Sequence, residues 1–242
     1  MNFILQLDFD KGELRFLDPT TRRTDEWGSR FRMTFSRLGR PEVSGVLQDV
    51  TETSFTIDTG SAVNSLETSL FDSLIRDASL PVVQYVSWSD SGVAIGRCTR
   101  VPKLTLGSTE YSDIIFSEAH TSSLGMPFLF RHLVTLDFRH AKIYFLPGTH
   151  FQTISEYDMS GLYIRRIDGS IKVTFVIPQS PAEVAGIEQG DIIEEIEGID
   201  ALLYTVQEIR KLLRTGEGHG VPLKIRTGNG LVDTTIVLRS QI

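Results

Sequence analysis

The chain has 242 residues, of which 40% are hydrophobic and 23% are charged. This is the composition of a folded globular protein, and it excludes extended disorder and a collagen-like chain. A formal net charge of −7 argues against binding to a nucleic-acid backbone, and Cys98, the single cysteine, leaves no internal disulfide or thiolate metal site.

Further expectations concern membranes, metals and export. No apolar run approaches the roughly 18 residues that a membrane span requires. The 5 histidines follow no metal-ligand spacing, so we expect neither a metal nor another cofactor. Residues 1–10 lack both a basic leader and a long apolar core, which predicts no signal peptide and a cytoplasmic location by default.

Residues 1–20 form a first segment with a strand–turn–strand pattern. The Leu-Asp-Phe of residues 7–9 recurs at residues 136–138, and an apolar strand follows the turn in both places. Two ordinary hairpins explain this similarity as well as a remnant of a duplicated unit does.

Residues 21–150 are predicted to form a mostly β domain. Leu66, Leu70 and Leu74 recur at helical spacing and predict a helix over residues 62–78. Apolar or alternating runs predict short strands at residues 30–35, 54–57, 103–106, 113–116 and 142–146.

A boundary follows the last of these strands. Pro147 and Gly148 close the strand, and polar residues separate it from a second β pattern. The sequence therefore predicts a further domain at residues 157–242.

Asp58 gives the strongest chemical signal, because it stands at the end of an apolar strand. Thr59, Gly60 and Ser61 follow it, and the glycine allows the backbone to turn sharply beside the carboxylate. The threonine hydroxyl and nearby backbone N–H groups can hold that carboxylate in place. As a bare tripeptide, Asp-Thr-Gly fits equally a strand that ends in an Asx-type turn before a helix.

The context of this tripeptide points to a family. Residues 124–129 read Leu-Gly-Met-Pro-Phe-Leu, and two further β patterns follow at 133–138 and 142–146. With Asp-Thr-Gly-Ser, they resemble the retropepsin-like aspartic proteases, especially the bacterial families with one motif per chain. The resemblance covers about residues 30–147 and implies a mainly β fold with an acid-protease barrel. Residues 126–128 depart from the retroviral members, which carry a charged stretch after this glycine.

The resemblance implies that Asp58 is the catalytic aspartate and that Thr59 bonds across a dimer beneath the paired carboxylates. It assigns supporting positions to the rest of the loop and to an apolar pair behind it: Gly60, Ser61, Leu124 and Gly125. Two carboxylates held close together share one proton. The ionised one can then activate water while the protonated one polarises the scissile carbonyl.

The chain offers no second catalytic aspartate. Residues 90–92 read Asp-Ser-Gly, but they follow no apolar strand and lie too near Asp58 for a whole lobe to intervene. One motif per chain predicts a C2 homodimer with one Asp58 from each subunit. The turn within residues 87–96 is predicted to be the tip of a substrate-covering flap or, alternatively, a surface β-turn. The flap residues are Trp88, Ser89, Asp90, Ser91 and Gly92.

The second domain carries a more specific pattern. Ser180 followed by Pro181 predicts a short capped helix that Gly186 stops. Thr205 and Glu208 predict a capping box at the start of a helix over residues 205–214. With the flanking strands, these features resemble the bacterial PDZ pattern over about residues 159–239.

A PDZ-like domain binds an extended peptide by strand addition beside a helix, and a backbone loop takes the terminal carboxylate. The resemblance assigns this groove to Gly161, Leu162, Tyr163, Ile164, Val206, Ile209, Arg210 and Leu213. The apolar members fit a plain core as well, and for Ile209 and Leu213 the two interpretations are balanced.

Two functions follow from these patterns. The first is a homodimeric aspartic endopeptidase whose PDZ-like domain binds substrate or partner peptides, either extended or C-terminal. The second is a non-catalytic peptide-binding scaffold on a protease fold. The intact Asp58 motif favours the first, whereas the missing charged stretch and the incomplete N-terminal repeat favour the second. Members of the resembled family are often exported, so the cytoplasmic expectation rests only on the missing leader.

Overall fold

A computed structural model of the chain describes residues 3–21, 25–89, 92–153 and 157–240. The chain divides into two compact units, the first comprising Met1–Val82 and Arg97–Ser155 and the second Val83–Gly96 and Glu156–Ile242. Strands dominate the described residues of both units, so the mainly β prediction is confirmed. In the described ranges, no helix has both the length and the apolar character to cross a membrane.

The strands up to residue 147 follow one another with two helices among them, α1 (Thr68–Ala78) and α2 (Met126–Leu129). In chain order the strands are β1 (Ile4–Asp8), β2 (Glu13–Leu17), β3 (Ser29–Arg32), β4 (Thr34–Phe35), β5 (Pro41–Leu47), β6 (Thr51–Ile57), β7 (Asn64–Glu67), β8 (Val83–Ser89), β9 (Gly92–Leu106), β10 (Thr109–Ala119), β11 (Ser123–Leu124), β12 (His132–Asp137) and β13 (Lys142–Pro147).

A closed sheet forms the centre of the first unit. Within this unit its strand order is β4-β5-β6-β11-β7-β10-β9, and β5 also pairs with β9. The pairs Val46–Thr105 and Leu47–Leu104 make this closure. Fully buried rings fill the interior, with Phe55 stacked on Phe116 at a centroid distance of 5.8 Å. Closure leaves the paired strands without open edges. It also holds in place the end of β6 and the start of β7, which the loop containing Asp58 connects.

A second sheet brings together the two similar hairpins noted in the sequence. Its order is β2-β1-β12-β13-β3, so β1 pairs antiparallel with β12. Gln6 faces Thr135, and the Gln6 amide donates to the Thr135 hydroxyl at 3.0 Å. In each hairpin an aspartate accepts the backbone N–H three residues on, from Lys11 to Asp8 at 3.2 Å and from His140 to Asp137 at 3.1 Å. The two hairpins are therefore alike in structure and pair with each other in a self-complementary way.

Tertiary pairing changes several predicted boundaries in the first unit. The helix predicted over residues 62–78 begins only at Thr68, because Asn64 to Glu67 form β7 and pair with β10. Residues 30–35 divide into β3 and β4, which belong to different sheets. Strand pairing thus outweighs the helical spacing of the leucines at the start of this segment.

The second unit contains an antiparallel sheet and two helices, α3 (Pro181–Val184) and α4 (Val206–Leu212). Its further strands are β14 (Leu162–Ile167), β15 (Ser170–Val176), β16 (Ile192–Ile196), β17 (Ile199–Asp200), β18 (Gly220–Thr227) and β19 (Gly230–Val237). The sheet order is β14-β15-β16-β18-β19, with β17 paired to β16.

Both predicted helix starts in this unit are confirmed. The Ser180 hydroxyl caps α3, with Pro181 as the first helical residue. The Thr205 hydroxyl accepts the Glu208 N–H at 3.2 Å, and the Glu208 carboxylate accepts the Thr205 N–H at 2.7 Å. This reciprocal capping box satisfies two backbone donors that the helix itself leaves unpaired.

His132 stands at the start of β12 in the core of the first unit. It is 2% exposed, and the rings of Tyr111, Phe128, Phe145 and Phe151 surround it. Nδ1 donates to the Phe128 carbonyl at 3.0 Å, whereas Nε2 has no hydrogen-bond partner among the described residues. Burial lowers the pKa of His132 to about 4.

We expect acid to weaken the first unit through this histidine. The folded state keeps the imidazole neutral, whereas the unfolded chain protonates it near its ordinary pKa of about 6.5. The stabilisation is therefore complete above pH ~6.5 and is lost towards pH 4, at up to about 1.4 kcal/mol per pH unit.

Urea unfolding between pH 4 and 7 measures this slope. His132→Phe should flatten it, whereas the exposed control His120→Gln should leave it unchanged. An equally steep slope in His132→Phe would assign the acid sensitivity to another group.

Candidate functional site

Asp58 lies directly after β6, in the loop that leads to β7. Its backbone N–H donates to the Leu124 carbonyl at 3.1 Å. Its carboxylate Oδ1 accepts the Gly60 N–H at 2.9 Å. Asp58 is half-buried, and Thr59 and Gly60 are exposed. The loop thus presents a carboxylate that its own backbone orients.

β11 supports this loop from behind. It lies between β6, to which it is parallel, and β7, to which it is antiparallel. Because the Asp58 loop connects β6 to β7, the loop passes around the end of β11. The Met126 N–H donates to the Ser61 carbonyl at 2.9 Å and adds a second tie. The structure therefore brings together the Asp58 loop and the Leu124–Gly125 pair, two elements distant in sequence.

Gly125 allows the closest approach in this arrangement. A Cβ at this position would lie 2.1 Å from the Val63 carbonyl oxygen and 2.9 Å from that of Ser61. Gly125 has φ −94°, so the requirement for glycine comes from contact and not from its backbone conformation. A side chain here would push against backbone atoms that cannot rotate away.

Asn64 is a positioning residue that the sequence analysis missed. It is 2% exposed, its side-chain oxygen accepts the Gly125 N–H at 3.0 Å, and its amide donates to the Ile115 carbonyl at 3.1 Å. The sequence signal for this role is a polar residue within the segment that is predicted to be helical. Once that segment is a buried strand, a polar side chain there requires such partners.

Ser61 supports the loop locally. Its hydroxyl donates to the Val63 carbonyl at 2.7 Å. The side chain therefore stabilises the turn that carries Asp58. Among the described residues, no group of three or more His, Cys, Asp or Glu side chains is arranged to hold a metal ion.

The predicted flap lies at the junction of β8 and β9. Trp88 and Ser89 belong to β8, Gly92 begins β9, and Asp90 and Ser91 lie outside the described residues. The described parts of β8 and β9 both extend into residues 87–96, the segment predicted as a turn. Coverage of a substrate by this hairpin stays a prediction.

The predicted peptide groove lies at β14 and α4, which pack side by side. Within the described residues, β14 pairs with β15 and has no strand on its other side. Ile209 and Leu213 are each 1% exposed and belong to the core, as do Leu162 and Ile164. For these four residues the structure favours the plain-core interpretation.

Of the remaining groove residues, Gly161 is buried and the other three lie nearer the surface. Tyr163 and Val206 are half-buried, and Arg210 is exposed. Gly161 has φ 71°, and a Cβ there would lie 2.2 Å from the Ser180 Cβ. Both the left-handed backbone and the packing of the α3 cap therefore require glycine at the start of β14.

Comparison with known proteins supports the PDZ-like prediction for the second unit in particular. A family model described as PDZ domain matches residues 172–227, which confirms the PDZ-like prediction for this part of the chain. The chain is 35% identical to Rhophilin-2 of Mus musculus over 88 residues. It is 38% identical to a putative zinc metalloprotease of Clostridium perfringens over 65 residues. These matches cover 36% and 27% of this chain but only 12% and 19% of the two relatives.

Two solved structures resemble parts of the chain. A retropepsin-like aspartic protease from Rickettsia conorii matches with 15% identity and a TM-score of 0.36, covering 50% of this chain and 94% of that one. The HtrA3 PDZ domain bound to a phage-derived ligand matches with 25% identity and a TM-score of 0.29, covering 34% and 84%.

Proposed function

We propose that the chain is an aspartic endopeptidase whose catalytic carboxylate is that of Asp58. The fixed presentation of this group carries the proposal. The Asp58 N–H donates to the Leu124 carbonyl, the Gly60 N–H donates to the carboxylate Oδ1, and no described residue donates to Oδ2. That oxygen is therefore available to a water molecule or to a second carboxylate.

Hydrolysis by this mechanism requires the second carboxylate. We propose that a second copy of the chain supplies it, so that two Asp58 side chains share a proton across a twofold axis. The pair then deprotonates a water molecule and protonates the scissile carbonyl oxygen. β1 already pairs with β12, so two copies can meet through β12 only if the hairpin of residues 4–17 is exchanged between them.

Sedimentation velocity combined with an assay on an unfolded protein tests this proposal. Both measurements use the same protein concentrations and cover acid to neutral pH. We expect a dimer that cleaves reduced casein and binds pepstatin. Cleavage by a strict monomer would refute the homodimer. The lack of both cleavage and pepstatin binding would refute the peptidase.

Peptide binding is a second proposed function, favoured by the PDZ-domain match at residues 172–227. An extended peptide would add to the open edge of β14, with α4 as the other wall of the groove. In the peptidase this groove binds substrate or partner segments. Without catalysis, the same groove would make the chain a peptide-binding scaffold.

A further inference from the structure

The loop before β14 is the part of the groove where a terminal carboxylate would be bound. Such recognition needs backbone N–H groups that point to the ligand and have no other acceptor. In this chain the loop contains Asp158, Ser160 and Gly161, and it ends at Leu162, the first residue of β14. The hydrogen bonds of these four residues decide what the loop can still bind.

Each of the relevant N–H groups already has an acceptor within the chain. The Asp158 carboxylate Oδ1 accepts from the Ser160 N–H at 3.0 Å and from the Gly161 N–H at 2.7 Å. The Leu162 N–H donates to the Ser160 hydroxyl at 3.0 Å, and that hydroxyl donates to Asp158 at 2.8 Å. The Met159 N–H donates to the Leu213 carbonyl at 3.1 Å.

The carbonyl groups of the same loop are also bound. Those of Ser160 and Gly161 accept from Ala182 and Ile177, both at 2.9 Å. Ser160 has 0% exposure. The loop therefore cannot release its donors by a small rotation, because each peptide unit is held on both sides.

The Asp158 carboxyl group also hinders the binding of a second carboxylate in this loop. Asp158 is half-buried, and burial raises the pKa of its carboxyl group. The hydrogen bonds from Ser160 and Gly161 and the positive charge of Arg214 act in the opposite direction, but burial is the largest influence. The Asp158 carboxyl group thus fills a nest of two amides, one hydroxyl and a nearby guanidinium. A peptide's terminal carboxylate would have to displace it or lie against it.

We infer that Asp158 is a built-in substitute for a terminal carboxylate, and that the groove binds extended internal segments of proteins. This inference rests on the proposed peptide binding at β14. The open edge of β14 supplies main-chain hydrogen bonds to any extended segment, and these bonds do not require a chain end.

The test uses the full chain carrying Asp58→Asn, so that peptides stay intact. Random short peptides are selected once with a free carboxyl end and once followed by a fixed Gly/Ser extension. Selected sequences are then measured as matched free acids and C-terminal amides by fluorescence anisotropy. We expect the two forms to bind within about twofold of each other. Free acids that bind about tenfold tighter or more would overturn the inference and leave peptide binding intact.

Asp158→Ala gives the converse result. Removing the side chain frees the Ser160 and Gly161 amides and the Arg214 charge for a ligand carboxylate. We expect this variant to prefer free acids over amides by about tenfold or more. An unchanged ratio in a folded variant would overturn the inference.

Amide resonances supply a readout that does not depend on this variant's folding. With Asp158 intact, the Ser160 and Gly161 amide signals should follow the titration of its carboxyl group and stay unshifted when a free-acid peptide is added. Large peptide-induced shifts at both amides would show that the ligand displaces Asp158. Failure of every selected peptide to bind would instead refute peptide binding at β14.

Discussion

Asp58→Asn is expected to abolish proteolysis while leaving the fold intact. The asparagine Oδ1 can still accept the Gly60 N–H, which the aspartate accepts at 2.9 Å. The loss of ionisation removes the group that takes a proton from water, and in a dimer it removes both copies. We expect hydrolysis of reduced casein to fall by at least about 10³-fold, and the free energy of unfolding to change by less than about 1 kcal/mol.

Asp168→Asn is the matched control for this change. Asp168 lies in the turn between β14 and β15 with φ 49°, a conformation that asparagine tolerates well. This variant should cleave casein at the wild-type rate. Residual wild-type activity in folded Asp58→Asn would remove Asp58 from the mechanism, and an equal loss in Asp168→Asn would show that the effect is not specific to the site.

Gly125→Ala is expected to be the most damaging single-methyl change at the site. The new Cβ would lie 2.1 Å from the Val63 carbonyl oxygen, so the backbone must move. Movement here breaks the bonds of the Gly125 N–H to Asn64 and of Asp58 to Leu124. We expect a loss of at least about 2 kcal/mol in the free energy of unfolding. Displacement of the Asp58 loop should lower activity by about 100-fold.

Gly228→Ala provides the comparison for Gly125→Ala. No atom lies within 4 Å of a Cβ built at Gly228, so the added methyl group meets open space. Urea unfolding of both variants separates the packing effect at Gly125 from the general effect of replacing a glycine. The free energy of unfolding of Gly228→Ala should lie within about 0.5 kcal/mol of the wild-type value. Equal stability of the two variants would contradict the tight contact at Gly125. Hydrogen exchange at the Asp58 amide should quicken only in Gly125→Ala.

The local features of this chain were readable because they depend on neighbours in sequence. The Ser180 cap with Pro181 and the capping box of Thr205 each act within four residues, and the structure confirms both. The predicted helix 62–78 failed at its start for the opposite reason. Strand pairing of Asn64 with Phe116 is a long-range interaction, and the leucine spacing carries no information about it.

The candidate site shows the same division. The amino-acid sequence by itself determined the carboxylate at the end of a strand, the turn glycine after it and the PDZ-like pattern of the second unit. Only the tertiary structure decided that Asn64 holds Gly125, that β1 covers the edge of β12, and that Asp158 fills the loop before β14. Each of these depends on which backbone donors and acceptors meet in space. Side-chain patterns report burial and local turns, whereas those partners are chosen when distant strands and loops pack together.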